Sequence, residues 1–208
     1  MAKTDTKLRI LESAEQLFAT HGFTHTSLRQ ITTEANVNLA SVNYHFGSKK
    51  SLIQSVLKRY LEIYMPLLHQ NLNQIAPQKN EIEPVLQAFI KPLFELNKLG
   101  KQSPRNFMIM IGRGYSETQG HLRKYIVSEY GETVLLITHK FANALPNISA
   151  QELFWRLHFA LGALVFVMSS SSALEEIAEA DYAESATTEK IVNKIVPFLA
   201  AGLSCKSQ

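Results

Sequence analysis

Residues 27–50 read SLRQITTEANVNLASVNYHFGSKK, and this stretch decides how the first quarter of the chain folds. Ser27 and Gln30 have the spacing of a capping box, in which a hydroxyl accepts from the backbone three residues on and the longer side chain reaches back. Leu28, Ile31 and Ala35 supply the inner face of a short helix. Asn36 ends it, because asparagine tolerates a positive φ better than other side chains. Asn38 is a good N-cap for a second short helix over 38–45, with Val42 and Phe46 pointing inward. Gly47 closes that helix and Ser48 caps the next. Two short helices joined by a turn of three to four residues match the helix-turn-helix pattern.

The outward face of the second helix carries the chemistry. Leu39, Ala40, Ser41 and Asn43 are small or polar, so the helix can lie in a DNA major groove without steric conflict. Asn43 offers an amide to an adenine edge, and Leu39 and Ala40 can meet thymine methyls. Ser41, Tyr44, His45 and Lys49 bring hydroxyl, phenolic and cationic groups suited to phosphate oxygens. A plain hairpin in a globular core does not need Tyr44, His45, Lys49 and Lys50 clustered at one end.

Outward from this motif the pattern stays helical. Ile10, Leu11, Ala14, Leu17 and Phe18 form one apolar stripe over 4–21, and Gly22 ends that helix. A long helix follows over 49–73, with Leu52, Ile53, Val56, Leu57, Tyr60 and Leu61 buried and a kink expected at Pro66. Pro77-Gln-Lys-Asn80 reads as a loop. Segments near 81–99, 104–114, 120–144, 149–174 and 187–202 are each helical in period, with a kink expected at Pro92 and a capping box at Ser149 and Glu152. No strand pattern or internal repeat is present. The chain reads as all-α with about nine helices: a three-helix head over 1–47 and a helical body over 48–208.

Composition narrows the function classes. Of 208 residues, 46% are hydrophobic and 19% charged, which excludes a disordered chain. The net charge is only +3, but residues 1–60 hold 8 Lys+Arg against 4 Asp+Glu, so the positive excess lies in the head, where phosphates would be met. The single cysteine, Cys205, allows no intrachain disulfide. The start, Met1-Ala-Lys-Thr-Asp-Thr-Lys, has no apolar signal core. The greasiest run, 159–168, is about half a bilayer span. A soluble cytoplasmic protein that does not insert in membranes is expected. No nucleophile–base pair, phosphate loop or paired carboxylates stand out, and His21, His25 and His45 lack metal spacing. Neither an enzyme, a metal nor a cofactor is expected.

Residues 8–57 resemble the DNA-binding domain of the TetR family of bacterial regulators. The pattern includes Ile10-Leu11, Ala14, Leu17-Phe18, Gly22-Phe23, Thr26-Ser27, Ile31, Ala35, Val37, Tyr44, His45-Phe46, Ser48-Lys49 and Leu52. The chain departs from it at Asn36, where the family usually has glycine, and a left-handed asparagine replaces it. The resemblance implies a homodimer whose two heads bind an inverted-repeat operator. A ligand entering the body moves the long fourth helix, changes the head spacing and releases the DNA. Carried over by position, it implies that Arg29, Leu39, Ala40 and Asn43 face bases, and that Ser27, Ser41, Tyr44, His45 and Lys49 hold phosphates.

In the body, residues 152–168 (ELFWRLHFALGALVFVM) are apolar nearly all round, which predicts a buried central helix. Ala160, Gly162 and Ala163 leave room for a neighbour, and the last helix carries Ile191, Ile195, Phe198 and Leu199 on one stripe. The family resemblance implies that these two helices build a four-helix dimer interface, with Gly162, Phe166, Ile195, Phe198 and Leu199 in it. Segments 39–54, 116–123, 152–158 and 196–202 further resemble the fatty-acid-responsive PsrA subgroup of that family. That likeness implies a long-chain fatty acid or acyl-CoA as effector and control of fatty-acid degradation genes. Phe107, Met110, Ile111, Tyr115, Trp155, Phe159 and Met168 are candidate lining for the acyl chain, with Arg113 or Arg156 for its carboxylate. Plain core and dimer contacts remain open for the same residues. The alternatives are a drug or other aromatic effector, or a lipid carrier or peripheral membrane protein.

Overall fold

The computed structural model describes residues 2–76, 81–117 and 120–205. Among these residues there are ten α-helices, one 3-10 turn and no strand. The loop expected over 77–80 lies outside the described residues. The head comprises α1 (Ala2–His25), α2 (Leu28–Glu34) and α3 (Leu39–Phe46). The long α4 (Lys49–Gln74) leads to α5 (Glu83–Glu95), the 3-10 turn Leu96–Lys98, α6 (Ser103–Ser116) and α7 (Gly120–Ala144). Then come α8 (Ala150–Ser169), α9 (Ser171–Tyr182) and α10 (Thr188–Ser204).

The head's boundaries follow from local chemistry. The Ser27 hydroxyl accepts from Gln30 N at 3.2 Å, while Ser27 N donates to Gln30 Oε1 at 2.7 Å, closing the capping box. Asn36 adopts φ 50° and Gly47 φ 72°, as the turn reading requires. Asn38 and Ser48 cap α3 and α4 by accepting from Ser41 N and Ser51 N. Gly22 behaves differently from the expectation. At φ 88° it breaks α1 without ending it, and one more turn follows. Thr26, fully buried, then pins that turn by donating to Gly22 O at 2.7 Å and Leu17 O at 3.1 Å.

Two expectations for the body are corrected. The helix expected over 149–174 is two helices, α8 and α9, divided at Ser170, so ten helices replace about nine. The break falls in the serine run 169–172, where hydroxyls compete for backbone groups; Ser169 Oγ donates to Phe166 O. Helices α4 and α5 continue through Pro66 and Pro92, and in α7 Tyr130 departs from helical dihedrals.

The second correction concerns α8, which is not buried in the protomer. Leu153, Arg156 and Met168 are its buried residues. Helices α6 and α10 cover two of its sides. Its third side presents Trp155, Phe159, Gly162 and Phe166 to solvent, at helical spacing. All-round apolarity demands cover, but does not say whether the cover is intramolecular. By length and composition α8 is also apolar enough to cross a membrane.

The core is continuous. Ile10, Phe18, Phe23, Ile31 and Val42 pack in the head, and Leu52 and Val56 of α4 join them. Farther along α4, Tyr60 and Tyr64 each lie 5.3 Å, centroid to centroid, from Phe107 of α6. Beside them a half-buried polar cluster ties three helices together. Glu15 of α1 pairs with Arg59 of α4 at 3.5 Å and accepts from Asn106 of α6 at 3.3 Å. Burial, and then the Glu15 carboxylate, push the Tyr60 phenol far above its ordinary pKa, so it stays neutral.

Candidate nucleic-acid interface and ligand cavity

Val42 and Phe46 anchor α3 in the head core, and this forces Leu39, Ala40, Asn43 and Tyr44 outward. Tyr44 is 67% exposed, with its ring edge-on to His45 at 5.0 Å. Arg29 and Ser27 are exposed at the start of α2. Three of the residues expected at phosphates also make contacts within the head. The Ser27 hydroxyl serves the α2 cap, and both N and Oγ of Ser41 donate to Asn38 Oδ1, at 2.8 and 2.9 Å. Lys49 is half-buried and reaches Thr24 O at 3.4 Å, across the end of α1. Arg9 has a part that the motif did not reveal. Its Nη1 donates to Ala35 O at 3.2 Å and so fixes the end of α2.

In the body, an apolar cavity of about 510 Å³ opens between α4, α6, α7 and α8. Leu57, Met110, Ile111, Leu122, Ile126 and Leu161 form much of its wall, and among the described residues Arg123 is the one charged side chain lining it. A second cavity of about 310 Å³ lies between α5, α7, α8 and α10, lined by Phe89, Phe141, Leu157, His158 and Leu199 among others. Tyr115 and Leu161 line both, so the two are lobes on either side of these residues. Such spaces are in the size range of small-molecule sites, with few polar groups to orient a ligand.

The structure brings Met110, Ile111 and Tyr115 of the expected lining into this wall. It places the others elsewhere. Phe107 packs in the core against Tyr60 and Tyr64, and Met168 is fully buried away from both lobes. Trp155 and Phe159 lie on the outer face of α8, stacked at 6.3 Å. Neither expected carboxylate partner lines a lobe. Arg113 donates to Ala19 O and Thr20 O of α1, at 3.3 and 3.1 Å. Arg156 pairs with Glu152 at 2.7 Å and donates to Leu203 O at 2.8 Å, satisfying the end of α10. Among the described residues, Arg123 is instead the arginine that lines the larger lobe. It lies within the segment 116–123 noted above, but helical period does not say which of several cations faces a void.

Of the residues expected at a dimer interface, Gly162, Phe166 and Phe198 are exposed, with the two phenylalanines at 59% and 71%. Ile195 and Leu199 are buried within the protomer, and Leu199 walls the second lobe.

Comparison with known proteins agrees with this architecture. Residues 10–56 match the family model described as "Bacterial regulatory proteins, tetR family", and residues 87–202 match "Tetracyclin repressor-like, C-terminal domain". The chain is 36% identical over 85 residues to the "Probable HTH-type transcriptional regulator YttP" of Bacillus subtilis, an alignment spanning 41% of each chain. It is 24% identical over 139 residues to the "Biofilm operon icaADBC HTH-type negative transcriptional regulator IcaR" of Staphylococcus aureus, covering 64% of this chain and 73% of that one. Among solved structures, the fatty acid degradation regulator FadR from Bacillus halodurans superposes with a TM-score of 0.59 over 97% of both chains, at 13% identity. That superposition establishes a shared fold.

Proposed function

The chain belongs to the TetR family of ligand-responsive, DNA-binding transcriptional regulators, and from that premise we propose that it is a homodimeric cytoplasmic repressor released from an inverted-repeat operator by a long-chain fatty acid or its acyl-CoA. The observation that carries the effector class is the two-lobed apolar cavity, whose one lining charge among the described residues is Arg123. An acyl chain is matched by the apolar walls, and its anionic head by a guanidinium at the edge. The likeness of fold to a fatty acid degradation regulator supports the same choice.

At the DNA, Asn43, Ala40, Leu39 and Arg29 read bases, while Tyr44, His45, Lys49, Ser27 and Ser41 hold phosphates. Residues 1–47 act as the reading head and 48–208 as the sensing and dimerising body. The heads of a dimer must sit about 34–36 Å apart, one duplex turn, to engage two half-sites together. The partner copy covers the outer stripe of α8 and Phe198 of α10. That cover accounts for an apolar face which a lone soluble protomer would not leave bare.

A drug-like aromatic effector is the second reading. The ring pairs Phe89–Phe141 at 5.6 Å and Tyr115–His158 at 5.4 Å around the smaller lobe favour it. Titration of the purified dimer with sodium oleate, oleoyl-CoA and a planar aromatic cation, each read by operator gel shift, decides between them. Release by the acyl compounds at micromolar concentration is expected. Release by the cation alone sinks the fatty-acid reading. Liposome flotation without DNA tests the lipid-carrier alternative, and no flotation is expected.

A further inference from the structure

Helix α6 runs parallel to α1 and holds it at successive points. Asn106 meets Glu15, Arg113 meets Ala19 O and Thr20 O, and Glu117 accepts from Thr24 N at 2.6 Å. The last two bonds depend on the break at Gly22. There α1 leaves helical geometry and its local backbone groups turn to side chains from α6. A Cβ on Gly22 would lie 2.6 Å from Arg113 Nη1 and closer still to the Glu117 carboxylate, so any other residue would push these side-chain ends from their present positions and would itself be strained at φ 88°. Burial pushes the Glu117 carboxyl up, but hydrogen bonds from Thr24 and Phe23, helped by Arg113, outweigh it and hold the pKa below the usual value. Arg113 and Glu117 themselves pair at 3.5 Å.

The clasp is built into the cavity wall. Ile111, Gly114 and Tyr115 line the larger lobe, and Arg113 leaves the same turn of helix in the direction of α1. Gly112 faces α8, where an added Cβ would come within 2.9 Å of Val165. α6 is therefore packed closely against α8 at this turn, so an occupant that displaces the turn moves it along or away from α8 rather than into it. A shift of this turn carries the clasp, and with it α1.

We propose that Arg113 and Glu117 are positioning residues that register the reading head against the body and transmit occupancy of the cavity to it. This rests on the reading of that cavity as the effector site. It places the transmission at the α6–α1 contact, independent of what the ligand is.

The test needs no identified ligand. In the full-length dimer, Leu161→Trp fills the larger lobe from the α8 side as a fixed occupant. Affinity is measured for a duplex selected from a random library by the unmodified protein. Leu161→Trp is expected to weaken binding about fivefold or more in the parent, the scale of an ordinary allosteric coupling. In a Glu117→Ala background the same change should cost less than about twofold, and Glu117→Gln, which keeps an acceptor for Thr24 N, should restore part of the difference. Equal losses in both backgrounds would mean that Glu117 is merely structural and would overturn the proposal. So would no loss in the parent. If Leu161→Trp melts early, Val134→Trp fills the lobe from α7 and the same comparison applies. Hydrogen exchange at the Thr24 amide gives a direct readout, with faster exchange expected when the lobe is filled. Sodium oleate separates the two readings. If oleate does not bind but the cycle holds, the effector assignment falls and the clasp stands. If oleate binds and releases DNA equally well from Glu117→Ala, the clasp falls and the effector assignment stands.

Discussion

Helices α3 and α8 each leave one face uncovered, and the two faces have opposite chemistry. On α3, burial of Val42 and Phe46 turns out Ala40, Asn43 and Tyr44, which are small, polar or tipped with a hydroxyl. On α8, burial of Leu153, Arg156 and Met168 turns out Trp155, Phe159 and Phe166. Water tolerates the first face indefinitely, since its polar groups lose nothing by exposure. It does not tolerate the second, because each large apolar side chain forgoes roughly 1.5–3 kcal/mol when left uncovered. The aromatic stripe of α8 thus calls for an apolar cover, whereas the polar face of α3 needs none. The clasp between α6 and α1 lies between these two surfaces.

The largest effect is expected from breaking the α8 face. Phe159→Glu with Phe166→Glu should yield monomers by analytical ultracentrifugation and lower operator affinity by about 100-fold or more, because two tethered heads bind with avidity that one lacks. A dimer that persists would show that the stripe serves another partner. On α3, Asn43→Ala should cost about 1–3 kcal/mol on the preferred duplex and relax the choice of base at one position. Tyr44→Ala should weaken selected and random duplexes alike and flatten the salt dependence, as expected for a phosphate contact. If both leave affinity unchanged, the face of α3 does not meet DNA.

Smaller effects sharpen the link between the faces. Along a series of saturated fatty acids, each methylene removed should weaken binding about fourfold, from about 0.8 kcal/mol per buried CH₂. Arg123→Ala should weaken the acids but not the matching alcohols, measured by calorimetry. The smallest effect is in pH. Glu117 has its pKa lowered in the folded protein, so its contribution is fully present above the ordinary glutamate value and is lost as pH falls through the lowered one. Exchange at the Thr24 amide should therefore rise in that acidic window in the parent, and should lack this step in Glu117→Ala.

Most of the head was legible in the chain. Ser27, Asn36, Asn38, Gly47 and Ser48 act on backbone groups within about four residues, so spacing alone exposes them. Gly22 was half legible. Its positive φ was readable, but not that α1 resumes beyond it under Glu117. In the body, helical period located the segments but missed the division of α8 from α9, because a serine run only weakens a helix and the packing on either side decides whether it breaks. The cavity was legible least. Arg113, Arg123 and Arg156 look alike in a periodic pattern, yet one clasps α1, one edges the cavity and one caps α10.

By itself the sequence determined an all-helical chain, a helix-turn-helix head and the side chains that face outward on α3. All of these depend on interactions between near neighbours along the chain. The tertiary structure alone decided which arginine faces the cavity, that the apolar α8 is bare on one side, and that the end of α6 grips the broken turn of α1. The Arg113 bond to Thr20 O joins residues 93 positions apart. No local period encodes such a pairing, because it exists only once the core of α1, α4 and α6 has closed and set the distance between them.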